Sequence, residues 1–140
     1  MALTHLLETS VLTRLRNPVI QRAILELQED PNPAKFGRSP ISDLEVGFAA
    51  RNAPEWDRLA NVSRRFQLVD VTAEHVRRAK QVQRLLAAKH QRGRKVPDLL
   101  IAATAEEAGL TILHYDVDFD LIAEVTGQPC QWIVPRGSVD

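Results

Sequence analysis

The chain has 140 residues, of which 44% are hydrophobic and 26% are charged, and 18 basic and 18 acidic side chains give a formal net charge of zero. A chain of this length can bury a substantial core, and we expect a single domain over residues 1–140. The charge balance argues against a dedicated electrostatic DNA-binding protein, which would carry a basic excess, although segregated charges could still bind nucleic acid.

Cysteine content and hydropathy bear on the cellular compartment. Cys130 is the single cysteine in the sequence, so an internal disulfide is impossible, as is typical of proteins in reducing compartments. No segment approaches the roughly 20 apolar residues that a membrane span needs, and residues 1–7 lack the basic start of a signal peptide. We therefore expect a cytoplasmic protein that does not enter a membrane.

Apolar runs that predict strands alternate with helical patterns along the chain, which is typical of α/β proteins with a parallel sheet. In chain order the predicted elements are a strand at 2–7, helices at 9–16, 17–30, 39–52 and 54–65, a strand at 66–71, a helix capped by Thr72, a largely buried helix at 97–108, a strand at 111–114, a short helix at 121–125 and a strand at 131–134.

Four acids occupy equivalent places relative to these elements. Glu8 and Asp116 each follow a predicted strand directly, and Asp98 lies in the first turn of a helix. A capping-box pattern that begins at Ser42 places Glu45 near the start of another helix. Because strand ends and the starts of the following helices share one edge of a parallel sheet, we expect these acids to converge.

Converging carboxylates repel one another, so they take up protons or bind a cation. Oxygen ligands favour Mg²⁺ or Mn²⁺, and the four histidines His5, His75, His90 and His114 have no zinc-like spacing. A single acid at a helix start is equally well explained by the helix dipole. The prediction of a metal site therefore depends on the convergence of several acids.

Four segments of the chain resemble, in order, the acidic motifs of VapC-type PIN domains. They are Leu6–Leu12 with Glu8, Ser39–Glu45, Val96–Ala105 with Asp98, and His114–Asp120 with Asp116 and Asp118. The resemblance implies a PIN-like three-layer α/β/α fold around a central, mainly parallel sheet of four or five strands. It also implies an endoribonuclease that depends on Mg²⁺, with Mn²⁺ as a substitute, and that acts as the toxin of a toxin–antitoxin pair.

The resemblance assigns catalytic and metal-binding roles to five acids, with contacts to the metal made directly or through water. These acids are Glu8, Glu45, Asp98, Asp116 and Asp118. Asp118 is alternatively the base that positions the water which attacks phosphorus in line. Thr9 and Ser10 are expected to orient the acids by hydrogen bonds.

The first motif departs from the family at Glu8, where VapC-type PIN domains usually have aspartate. The extra methylene moves the carboxylate by about 1 Å, and a displacement of about 1 Å can cost on the order of 100-fold in rate. We expect Glu8 to weaken catalysis while leaving the fold and partner binding intact. The alternative is a degenerate PIN domain that binds antitoxin or RNA without cutting.

The expected partners are an RNA substrate, a cognate antitoxin and a second copy of the chain in a homodimer. Arg92, Arg94 and Lys95 precede Asp98 and are candidates for contacts with RNA phosphates, or for a solvated loop. The predicted helix that contains Trp56 is a candidate apolar contact for the antitoxin, or part of the core.

Overall fold

The computed structural model describes residues 2–92 and 94–140; Met1, and Gly93 of the predicted basic loop, lie outside the described residues. In chain order the elements are β1 (His5–Leu7), α1 (Thr9–Leu12), α2 (Pro18–Glu29), β2 (Phe36–Arg38), α3 (Pro40–Phe48), α4 (Ala53–Ser63), β3 (Gln67–Leu68), α5 (Ala73–Ala88), α6 (Val96–Ala108), β4 (Thr111–His114), α7 (Asp118–Thr126) and β5 (Cys130–Trp132).

All strand pairs of the five-stranded sheet are parallel, and the strand order is β3-β2-β1-β4-β5. The central strand β1 places Leu6 opposite Gly37 of β2 and Ile112 of β4. The chain builds one half of the sheet outward from β1 and the other half outward from β4. Such a switch in direction leaves a crevice beyond the carboxyl ends of the two strands, which is where ligands bind in open α/β sheets.

Different helices cover the two faces of the sheet. Leu6 and Ile112 pack in one buried cluster with α5, α6 and α7, and their neighbours Leu7 and Leu113 pack in a second cluster with α1, α2 and α3. Adjacent strand residues point to opposite faces, so this separation follows from the strand geometry. The predicted three-layer α/β/α fold with a parallel sheet is confirmed. Among the described helices, none is both long enough and apolar enough to cross a membrane.

The helix α6 is the most completely buried helix near the crevice, as its apolar sequence predicts. Seven of its residues are buried, including Asp98 in its first turn. Gly109 ends the helix with a left-handed conformation at φ 70°, which glycine adopts without a steric cost. The packing of α6 on the sheet therefore fixes the backbone that carries Asp98.

The start of α3 differs from the capping-box prediction. The N-cap of α3 is Ser39, whose side chain accepts a hydrogen bond from the Ile41 N–H, and Pro40 occupies the first turn. Ser42 is therefore inside the helix, and Glu45 is its sixth residue and not part of its first turn. The helix was predicted to continue to residue 52, but α3 ends at Phe48. Asn52 is instead the N-cap of the separate helix α4.

The strand β2 was not predicted. It has three residues, and Gly37 at its centre weakens any strand pattern because glycine has a low strand propensity. A Cβ atom at this position would lie 2.8 Å from Leu3 Cδ1 and 3.0 Å from Val69 Cγ2. A side chain at position 37 would therefore crowd Leu3 and Val69, and the glycine that relieves this crowding also weakens the strand pattern in the sequence.

Candidate metal centre

The crevice beyond β1 and β4 is bordered by the elements that carry the five predicted acids. Glu8 follows β1 and is the N-cap of α1, while Asp116 follows β4 and Asp118 begins α7. Asp98 lies in the first turn of α6 and Glu45 in α3. One edge of the sheet and the adjoining helices therefore carry acids from four separate parts of the sequence.

Three of these acids form a compact group. Asp98, Asp116 and Asp118 each offer a carboxylate oxygen, and these oxygens all lie within 4.8 Å of one another. Carboxylate oxygens this close together could hold one divalent cation after small side-chain adjustments.

Asp98 is 4% exposed, and its Oδ2 atom receives no hydrogen bond from any residue in the described ranges. Burial raises the pKa of Asp98 to about 7, an effect that the Lys95 charge opposes and the neighbouring carboxylates reinforce. A buried carboxylate oxygen without a hydrogen bond carries a desolvation cost, which a nearby positive charge offsets. The arrangement therefore fits a divalent cation.

Glu8 is 3% exposed and is held by Ser10. Its Oε2 atom accepts hydrogen bonds from the Ser10 N–H at 2.9 Å and from the Ser10 hydroxyl, and that hydroxyl accepts the Tyr115 N–H at 2.8 Å. Burial raises the pKa of Glu8 to about 7 against these hydrogen bonds, and the charges of Asp98 and Glu45 raise it further. Glu8 thus lies beside the compact group without being one of its three members.

Glu45 is oriented by a chain of hydroxyl groups. The Thr9 hydroxyl donates to Glu45 Oε1 at 2.6 Å, and Thr9 Oγ1 lies 2.9 Å from Ser42 Oγ. Because a hydroxyl has one proton, Ser42 can donate to Thr9 while Thr9 donates to Glu45. Ser42, which is fully buried, was assigned only to capping; its position one helical turn before Glu45 was the available signal.

Lys95 points into the compact group. Its Nζ atom lies 3.2 Å from Asp118 Oδ2, 3.4 Å from Asp116 Oδ2 and 3.6 Å from Asp98 Oδ2. Burial alone would lower the pKa of the Lys95 ammonium, but the three carboxylates raise it. From the sequence, Lys95 was a candidate for contacts with RNA phosphates or for a solvated loop; in the structure it pairs with the acids. Arg92 and Arg94 line the adjoining concavity with Lys95, Val117 and Asp118.

His114 supports the turn that carries Asp116. Its Nδ1 atom accepts the Asp116 N–H at 3.2 Å, and burial lowers the pKa of the His114 ring, which favours the neutral form. The ring packs at 5.0 Å from Trp132, whose indole N–H donates to Asp120 at 3.0 Å and which also contacts Tyr115. His114 is thus a packed residue at the strand end that is hydrogen-bonded through its Nδ1 atom.

Both the sequence and the fold are similar to those of known proteins. The model of the PIN domain family matches residues 6–125. The chain is 59% identical to Ribonuclease VapC51 of Mycobacterium tuberculosis over 140 residues, which is 100% of both chains. It is 44% identical to Ribonuclease VapC18 of the same organism over 99 residues, which cover 69% of this chain and 72% of that protein.

A similar fold occurs in the crystal structure of VapBC2 from Rickettsia felis bound to a DNA fragment from their promoter. The TM-score is 0.73 at 18% sequence identity, with 92% of this chain and 98% of the compared chain covered. This likeness shows a shared fold, and the sequence matches show the relationship. The chain therefore belongs to the PIN-domain family, among its VapC-type members.

Proposed function

We propose that this protein is a divalent-cation-dependent endoribonuclease that acts as the toxin of a toxin–antitoxin pair. The observation that carries the proposal is the buried Asp98 oxygen without a hydrogen-bond donor among the described residues, next to the carboxylates of Asp116 and Asp118. Such a set of oxygen donors suits Mg²⁺, with Mn²⁺ as a substitute. The names of the relatives, Ribonuclease VapC51 and Ribonuclease VapC18, support RNA as the substrate.

The carboxylates have two proposed roles, which are to bind the cation and to accept a proton from the attacking water. When bound, the cation supplies acidity to an attacking water and neutralises charge on the phosphate. Asp98, Asp116 and Asp118 would hold it, with Glu8 and Glu45 acting directly or through water. The side chains of Asp116 and Asp118 are 29% and 16% exposed, compared with 6% for Asp98, so either is better placed than Asp98 to accept a proton from water at the solvent edge.

The experiment that tests this proposal is cleavage of structured cellular RNA by the purified, antitoxin-free protein. Parallel reactions contain Mg²⁺, Mn²⁺ or EDTA. Cleavage that needs either ion and stops in EDTA supports the nuclease. Cleavage that persists in EDTA contradicts the metal-dependent mechanism.

A PIN domain that binds without cutting is the second candidate, and the observation that favours it is Glu8. The carboxylate of Glu8 is tied to Ser10 at the N-terminus of α1, one methylene farther from its backbone than the usual aspartate. RNA or antitoxin binding without cleavage of a broad RNA set, both in this protein and in its Glu8→Asp variant, would favour the binding protein.

Metal binding is expected to depend on pH because burial raises the pKa of both Glu8 and Asp98 to about 7. Each of these carboxyl groups must lose its proton before it can act as a metal ligand. For each carboxyl that must lose a proton, we expect the apparent affinity for Mn²⁺ to rise by up to about tenfold per pH unit between pH 5.5 and 7, and to level off above about pH 7.5. Isothermal titration calorimetry over this range measures the effect.

The stability of the metal-free protein should show the opposite trend. A carboxyl whose pKa is higher in the folded than in the unfolded chain contributes stability below its unfolded pKa, and this contribution is lost as the pH rises through about 7. Thermal unfolding in EDTA should therefore give a lower Tm at pH 7.5 than at pH 5.5.

The protons released when Mn²⁺ binds can be counted directly. Calorimetric titrations in pairs of buffers with different ionisation enthalpies give this number. No proton release at pH 6 would contradict the proposed protonation of Glu8 and Asp98.

We further propose that the chain forms a homodimer through an exposed apolar surface between α3 and α6, the α3–α6 patch. It contains Phe48 at 91% exposure, Leu44 at 73% exposure and Val96, with Leu100 and Ile41 beside them. Large apolar side chains exposed together in this way are typical of association surfaces. The patch also adjoins Glu45, so a second copy there would border the acidic crevice.

Phe48→Glu is expected to convert this dimer into a monomer, because it places a charge at the centre of the α3–α6 patch. Light scattering at micromolar concentration measures the mass. Leu25→Glu is the matched control, since Leu25 is half-exposed on α2 and its substitution should leave the dimer intact. A wild-type protein that is monomeric under these conditions would remove the dimer proposal.

The proposed antitoxin would contact the acidic crevice and the neighbouring helix α4. Trp56 of α4 is half-exposed and lines a concavity with Val46 and Gly47, whereas Leu59 of the same helix packs against the core. The helix thus contributes to both the core and the surface. A basic side chain on the antitoxin would be attracted to the carboxylates and would compete with the cation.

A further inference from the structure

One ammonium group contacts all three carboxylates of the compact group. Lys95 Nζ lies 3.2–3.6 Å from oxygens of Asp118, Asp116 and Asp98. Within residues 2–92 and 94–140, Lys95 is the one basic side chain that forms an ion pair with these acids. Its positive charge therefore lies beside the oxygens that a divalent cation would need.

The Lys95 carbonyl accepts a hydrogen bond from the Leu99 N–H at 3.1 Å at the start of α6, whereas the Lys95 side chain has an open route to solvent. Lys95 is the N-cap of the buried helix α6 and makes no side-chain capping hydrogen bond. The side chain is 61% exposed and lines the open concavity that Arg92 and Arg94 share. The ammonium can thus leave the carboxylates by side-chain rotation, without any rearrangement of α6.

An ammonium group and a divalent metal ion cannot both bind these carboxylates at their preferred distances. Two cations within a few ångströms of each other repel strongly, and the three oxygens cannot serve both at their preferred distances of about 2.8 Å for an ammonium and about 2.1 Å for Mg²⁺. A molecule in which Lys95 contacts the carboxylates must release this side chain before the metal can bind. The apparent metal affinity is reduced by the fraction of molecules in which the site is free.

We propose that Lys95 is the internal counter-ion of the metal-free centre, and that it lowers the affinity for divalent cations by competing for Asp98, Asp116 and Asp118. This inference rests on the proposed metal site. It assigns Lys95 a positioning role in which the lysine neutralises the acids when no metal is bound and is displaced when metal binds.

The test measures Mn²⁺ binding by isothermal titration calorimetry at pH 7.5, with protein freed of metal by chelation. Lys95→Met is expected to bind Mn²⁺ about tenfold more tightly than the wild type, as for a lysine that occupies the site in about nine of ten molecules. Lys95→Arg keeps the charge and is expected to stay close to the wild type. Lys35→Met removes the same charge at an exposed position just before β2, at the opposite end of the sheet, and should change nothing.

A second measurement compares thermal unfolding in EDTA and in Mn²⁺. Lys95→Met leaves three carboxylates without their counter-ion, so its Tm should fall in EDTA and should gain more from Mn²⁺ than the wild-type Tm does. Lys95→Gln serves the same purpose if the methionine variant does not fold. Equal or weaker Mn²⁺ binding by the neutral variants overturns the proposal.

The readout is metal binding and not RNA cleavage, so the two proposals can fail separately. Tighter Mn²⁺ binding by Lys95→Met in a protein that cuts no RNA would support the role of Lys95 and contradict the nuclease. No Mn²⁺ binding by any variant would overturn both the metal site and the counter-ion.

Discussion

Asp98→Asn is expected to reduce metal-dependent RNA cleavage by on the order of 1000-fold while raising the Tm of the metal-free protein. Loss of a metal ligand removes an interaction worth several kcal/mol in the transition state, and about 1.4 kcal/mol corresponds to a factor of ten in rate. The gain in stability follows because asparagine has no charge to desolvate, whereas burial raises the pKa of the Asp98 carboxyl to about 7.

The opposite directions of these two effects separate catalysis from folding. Single-turnover cleavage of RNA in Mg²⁺ gives the rate, and thermal unfolding in EDTA at pH 8 gives the stability, with an expected gain of about 1–2 kcal/mol. Asp57→Asn is the matched control, because Asp57 is exposed on α4 and both measurements should remain at wild-type values. Unchanged cleavage by Asp98→Asn would exclude Asp98 from the site.

Glu8→Asp is expected to increase the cleavage rate by up to about 100-fold. The substitution shortens the side chain by one methylene and restores the residue that VapC-type PIN domains usually carry. Aspartate is also a favoured N-cap residue, so the hydrogen bond from the Ser10 N–H that begins α1 can be kept. The fold should therefore be preserved while the carboxylate moves relative to Asp98 and Glu45.

Glu8→Gln distinguishes the position of the carboxylate from its charge. It keeps the length of the side chain and an oxygen that can accept from Ser10, but it removes the ionisable group. No gain in cleavage is expected from this variant, and the pH dependence of Mn²⁺ binding should become shallower. Equal rates for the wild type and Glu8→Asp would remove the idea that the longer side chain limits catalysis.

Much of the arrangement of the acids could be inferred from sequence because it depends on topology. Glu8 directly follows the buried strand β1, Asp116 comes two residues after the end of β4, and Asp98 lies in the first turn of a helix whose apolar sequence requires burial. These features place the acids at one edge of the sheet whatever the details of packing. Glu45 was placed at the correct edge for a partly wrong reason, since the N-cap of α3 is Ser39 and the capping box that was expected to begin at Ser42 lies inside the helix.

Side-chain interactions were less accessible to sequence reasoning. The pairing of Lys95 with three carboxylates depends on the distances between α6, β4 and α7, which no local pattern encodes. The start of α7 at Asp118, earlier than predicted, reflects a hydrogen bond from the Asp118 N–H to Asp116 Oδ1 at 2.9 Å. Such contacts between a side chain and a nearby backbone group shift helix ends by a turn.

The packing of Trp132 against His114 gives the centre an intrinsic optical signal. Trp132 contacts the histidine that holds the Asp116 turn, and the sequence contains one other tryptophan, Trp56, which lies against Gly47. In a Trp56→Phe protein, all indole fluorescence would come from the strand end next to the carboxylates. Occupancy of the crevice could then be followed in real time, without a label and without a substrate.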